Sequence, residues 1–139
     1  MNALVIGTAI GAGLLAGIYL AFSVAVMPGL HRRPDGEAAD AMRAINRAIV
    51  NPLFGVLFTG TGLAGAVLAV WAALDGSWQL AAGAALVLTG GHLITIGVNI
   101  PLNTALDRGG SWDGFARPWN RAHTLRTLLL VVGFALLVV

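Results

Sequence analysis

The chain has 139 residues, of which 58% are hydrophobic and only 10% charged, with a mean hydropathy of +0.85. A water-soluble domain of that length needs far more surface charge, so the composition argues for a bilayer as the solvent. The lack of cysteine excludes disulfides, thiolate metal sites and cysteine nucleophiles, and a net charge of +2 carried only by arginine is too weak and dispersed for nucleic acid.

Four apolar runs cover residues 3–27, 52–73, 79–100 and 120–139, each close to the roughly 20 residues a bilayer requires. They predict an all-α fold, an integral membrane four-helix bundle forming a single membrane domain over 1–139. "SVA" at 23–25 resembles a leader cleavage site. The first run has no basic segment before it and is too long for a leader, so a retained helix is expected. Its Gly7, Gly11, Gly13 and Gly17 offer a small-residue face for a neighbouring span or for a homo-oligomer.

The first connection, 28–51, predicts a short turn and then an amphipathic interfacial helix. Ala38, Met42, Ile45 and Ile49 form its apolar stripe, and Arg43 and Arg47 face the headgroups. In "NPLF", Asn51 suits an N-cap and Pro52 the first helical position, while Asn51 is also a candidate site residue. The second connection, "LDGSWQ", holds no arginine. Pro101 predicts a kink or stop at the end of the third span, and the glycine-rich stretch 109–114 a mobile third connection.

All eight arginines lie in, or just inside, the first and third connections. The positive-inside rule therefore puts connections 28–51 and 101–119 in the cytoplasm, with both termini across a plasma (inner) membrane. Trp78 on one side and Trp112 and Trp119 on the other fit an aromatic belt.

Polar residues inside the spans carry the functional signal. At helical spacing His92, Thr95, Asn99 and Asn103 fall within an arc of about 80°. Trp119, His123 and Arg126 share a face of the fourth span, with Asn120 beside it. Such side chains are costly in lipid unless partnered, so both stripes are expected to turn inward. Asn51, Asn99, Asn103, Trp119 and Asn120 lie near the cytoplasmic ends, with His92 about 10 Å deeper than Asn99. They outline a pocket open to the inner leaflet, with His92 as its floor and Tyr19 and Ser23 completing the wall. Bland alternatives stand beside this: interhelical hydrogen bonding for the histidines, snorkelling for Arg126 and a belt position for Trp119.

No metalloprotease, phosphate-loop or paired-carboxylate motif is present. Two histidines in a helical bundle could hold haem, and a metal would need a further ligand. Otherwise a neutral imidazole among amide and indole donors can abstract an acidic C–H proton and stabilise an enolate without a cofactor.

"FSVAVMPGL" (22–30), "AMRAINRAIVNPLF" (41–54), "NIPLN" (99–103) and "WNRAHTLRT" (119–127) together resemble the signature segments of the anthrone-oxygenase-like membrane proteins. The resemblance implies four spans and a cofactor-free oxygenation of an anthrone-type phenolic substrate by carbanion formation and reaction with O₂. It places Asn51, Asn99, Asn103, Trp119, Asn120, His123 and Arg126 in the polar pattern, whereas His92 rests on its position alone. His123 or His92 is then the base, and the other residues bind substrate. The rival readings are a non-catalytic binding or accessory protein for a lipophilic ligand, and a haem or metal bundle. A small multidrug-type transporter would want an intramembrane carboxylate, and none is present.

Overall fold

The computed structural model describes residues 3–139. Five helices account for nearly all of them: α1 (Ala3–Leu30), α2 (Asp35–Ile49), α3 (Pro52–Leu74), α4 (Trp78–Asp107) and α5 (Trp112–Val138). All but α2 are long and apolar enough to cross a membrane. They form a four-helix bundle in which α1 packs on α3 and α5, and α4 packs on α3 and α5. Their outer faces expose Ile10, Leu14, Val67, Leu93 and Leu128, as a lipid-facing surface should.

The core is built from small and medium residues. Ala12, Leu15, Leu68, Ala84, Val87 and Leu130 are fully buried at the bundle centre. α4 and α5 approach backbone to backbone. A Cβ on Gly90 would lie 2.6 Å from the Arg126 carbonyl and 2.7 Å from the Leu130 nitrogen. One on Gly133 would lie 2.8 Å from the Gly83 carbonyl and from the Val87 nitrogen. In lipid, where packing rather than water exclusion drives association, such backbone contact is the main adhesive. The span-one glycines divide: Gly11 packs on Thr61 and Gly13 on Phe134, both within the chain, whereas nothing approaches Gly7 or Gly17.

α2 lies across one end of the bundle. Its Ala38, Ala39, Met42 and Asn46 are buried, the apolar ones in a cluster with Leu106, Trp112, Phe115 and Trp119. Arg43, expected among headgroups, instead donates from Nε to the Leu106 carbonyl (2.9 Å) and pairs with Asp40. It thereby caps the C-terminus of α4 with a cation, where free carbonyls and the helix dipole favour one. Asn51 caps α3, its side chain accepting from the Phe54 amide at 3.0 Å.

Three further sequence expectations need correction. Pro101, expected to kink or stop the third span, does not stop α4, which runs on to Asp107. Two wide π turns, 88–93 and 95–99, precede it, and the Ile100 amide bonds five residues back to the Thr95 carbonyl. That loosened ladder accommodates the ring at a place where a regular turn would clash. The third connection shrinks to residues 108–111, because Ser111 caps α5 and the helix then runs through Pro118. Trp112 and Trp119, expected in a belt, are therefore helical and buried, 6% and 2% exposed, while Trp78 is 71% exposed.

The α4–α5 contact sets a stability prediction. Gly90→Ala and Gly133→Ala should each destabilise the detergent-solubilised protein by about 1–3 kcal/mol, the usual cost of overpacking. Gly7→Ala and Gly17→Ala should leave the thermal melt unchanged.

Candidate functional site

The polar stripes of α4 and α5 meet at the end of the bundle that α2 covers. Trp119 donates from its indole nitrogen to Asn103 Oδ1 (2.8 Å), and its carbonyl accepts from Asn99 Nδ2 (3.3 Å). About two turns deeper, Arg126 is buried, only 6% exposed. Its Nη1 donates to Thr95 Oγ1 (2.9 Å), and Nε and Nη2 both reach His123 Nδ1, at 3.1 and 2.9 Å. The guanidinium carbon lies 4.1 Å from the centre of the Tyr19 ring and 5.3 Å from that of Trp119. Arg126 thus has aromatic faces and neutral acceptors around it. Among the described residues no carboxylate pairs with it; the ion pairs there are Arg33–Glu37 and Arg43–Asp40.

His123 is fixed by its partners. Its ring stacks on Trp119 at 4.6 Å and 14°. Nε2 lies 2.9 Å from the Tyr19 carbonyl, which can only accept, so Nε2 carries the proton and Nδ1 presents its lone pair to Arg126. Ser23 Oγ, 3.0 Å from Nε2, completes the contact with α1. A π turn over 22–26 follows directly in α1, the Met27 amide bonding back to the Phe22 carbonyl. Tyr19 ties α1 to α4 through its hydroxyl, 2.8 Å from the Gly91 carbonyl and 2.9 Å from Thr95 Oγ1.

A cavity of about 290 Å³ opens beside this network, lined by residues of all five helices. Tyr19, Thr95 and Arg126 form its deep end, Phe22, Phe54 and Phe58 its apolar walls, and Asn46, Asn103 and Asp107 its far end. α3 packs closely on α4 only over Trp78–Leu93, which leaves the space between Phe54 and Ile100 for the cavity. A larger, shallower depression of about 520 Å³ lies between Trp71, Trp78 and Leu137 at the opposite end and carries no charged side chain.

The expected site residues are distributed unevenly. Asn103, Trp119 and Arg126 line the cavity, with Asn99 and His123 directly behind them. His92 turns away toward α3: its Nε2 donates to the Phe58 carbonyl (2.8 Å), its ring lies 4.5 Å from that of Phe58, and its Nδ1 is buried without a partner. Asn51 is exposed in its capping role, and Asn120 is half-buried outside the cavity lining. The two histidines do not share a cavity, and no cluster of three or more His, Cys, Asp or Glu occurs among the described residues. Sequence reasoning passed over Asn46, Asp107, Phe54 and Phe58. Asn46 could have been found as a polar residue one turn beyond Met42, beside the apolar stripe of α2.

The family model for anthrone oxygenase matches residues 42–136. The chain belongs to the anthrone oxygenase family. No curated protein and no solved structure gives a significant match. The matched segment carries most of the cavity, from Asn46 to Arg126, while Tyr19 and Phe22 come from the helix preceding it.

A buried cation without a counter-ion is a poor stabilising device, since its desolvation is uncompensated. Arg126→Met should therefore raise the thermal midpoint in detergent. A lowered midpoint would mean that the bonds to His123 and Thr95 outweigh the desolvation.

Proposed function

We propose that the protein is a membrane-embedded, cofactor-independent oxygenase acting on a flat, lipophilic, anthrone-type phenol. The observation that carries this reading is Arg126, buried at the deep end of an aromatic-walled cavity with no carboxylate partner among the described residues. Three of the five guanidinium N–H directions are used, leaving two for a ligand oxygen. Such a cation stabilises an enolate far better than it stabilises the parent ketone, and that difference is what accelerates deprotonation.

The reaction then runs as follows. The carbonyl oxygen of the substrate accepts from Arg126, and Phe54, Phe58 and Trp119 flank its rings. The methylene C–H breaks, its proton passing to a histidine and its electron pair into the enolate. The carbanion carbon bonds to O₂, which is reduced to a peroxide and takes up a proton. The hydroperoxide loses water by breaking its O–O bond and the second C–H bond. In sum, one CH₂ and one O₂ become one C=O and one H₂O. Lipid dissolves both reactants.

Of the two histidines, His92 is the better supported proton acceptor. Its Nδ1 lone pair is unclaimed, and Phe58, which contacts its ring, lines the cavity. The Nδ1 of His123 is engaged by Arg126, which makes His123 a positioning residue for the cation. The arginine-bearing connections are assigned to the cytoplasm, with α2 at that interface, so the far end of the cavity meets the inner leaflet.

Oxygen uptake by the purified protein with emodin anthrone tests the chemistry. Arg126→Gln should lower the rate by about 100-fold, and His92→Gln by about 100-fold with little change in KM. His123→Asn, which keeps an acceptor near the Nδ1 position, should retain more activity than His123→Leu. Full activity in His92→Gln with none in His123→Asn would transfer the base to His123. Uptake no faster than autoxidation would leave a binding or accessory protein. For topology, the chain lacks native cysteine, so Asp75→Cys should react with an impermeant maleimide from outside intact cells and Asp113→Cys should not.

A further inference from the structure

The cavity is polar at both ends and apolar between them. Arg126, Tyr19 and Thr95 occupy the deep end, and Asn46 and Asn103 the other, with Phe22, Phe54 and Phe58 in the middle. Along α4, Thr95 and Asn103 stand about 12 Å apart, a span suited to a fused ring system bearing an oxygen at each extreme. At the far end the two amides differ in what their atoms already bond. Asn103 Oδ1 already accepts from Trp119. Asn46 is 9% exposed, and its Nδ2 is buried with no hydrogen-bond partner. It sits on the face of α2 that otherwise buries Ala38, Ala39 and Met42, where an apolar residue would pack without leaving a donor unpaired. Asp107 supplies an acceptor at the same end, so the chemistry there suits a hydroxyl, which can both accept and donate.

We infer that Asn46 is a specificity residue that donates to an oxygen substituent on the outer ring of the ligand, far from the oxygen held by Arg126. This rests on the aromatic substrate class proposed above, not on turnover. It makes the cavity a two-oxygen site: Arg126 recognises the reacting carbonyl, and Asn46 selects among ring-substituted relatives. A site built to pair a hydroxyl discriminates strongly against a ligand lacking it, because the amide is then left buried and unpaired.

Emodin and chrysophanol are suitable probes, being stable quinones that differ by one outer-ring hydroxyl. Their binding to the purified protein is followed by quenching of tryptophan fluorescence and by calorimetry, at a pH where both are neutral. The wild-type protein should bind emodin about 10-fold more tightly. Asn46→Leu should remove that preference by weakening emodin alone, and Asn46→Ala should do the same without added bulk if the leucine variant fails to fold. The inference is overturned by equal affinities in the wild type, by a preference that survives both substitutions, or by binding of neither quinone. Oxygen uptake with an anthrone, measured in parallel, separates the two readings. An Asn46-dependent preference without uptake removes the oxygenase reading alone, whereas uptake without the preference removes this inference alone.

Discussion

Backbone contact between α4 and α5 sets the geometry on which everything else depends. With only hydrogen at Gly90 and Gly133, the two helices meet main chain to main chain. The Gly90 contact falls on the carbonyl of Arg126 itself, so the residue that holds the charge is anchored at a main-chain contact between the two helices. Neighbouring turns are thereby brought into register: Thr95 meets the guanidinium, Asn99 the Trp119 carbonyl and Asn103 the Trp119 indole. The site is precise because it is built on the two most closely packed spans.

Around that anchor, the protein keeps a cation in a low-dielectric place without giving it an anion. His123 supplies a lone pair and Tyr19 and Trp119 supply π faces, enough to orient the guanidinium but not to neutralise it. A carboxylate there would stabilise the empty site and compete with any ligand oxygen. Leaving it out makes the pocket complementary to negative charge that develops on a bound molecule, at some expense in stability. The proposed oxygenase reading draws on this arrangement, since an enolate is such a charge.

π turns explain how one helix serves several partners. α4 carries two of them across the residues that matter, and α1 carries one just beyond Tyr19. Each wide turn re-aims the side chains that follow. His92 consequently faces α3 and Phe58 while Thr95, one turn later, faces Tyr19 and Arg126. A regular helix would have kept the two about 60° apart. The same loosening lets α4 continue through Pro101 to Asp107, which brings Asn103 and Asp107 to the cavity.

The sequence by itself determined the number of spans and the all-helical class, and offered Asn99, Asn103, His123 and Arg126 as inward candidates. Bilayer length, hydropathy and the cost of burying polar groups act locally and are legible in order along the chain. Family membership was legible for the same reason, in segments that recur in a fixed order. Only the tertiary structure decided which polar residues meet. The π turns at 88–93 and 95–99 depart from the fixed angle per residue on which a helical-face reading depends. Likewise the burial of Trp112 and Trp119 depends on α2 folding across the bundle end, and the part played by Asn46 depends on what that helix covers. Such long-range contacts join residues far apart in sequence, and the local pattern of residues does not encode them.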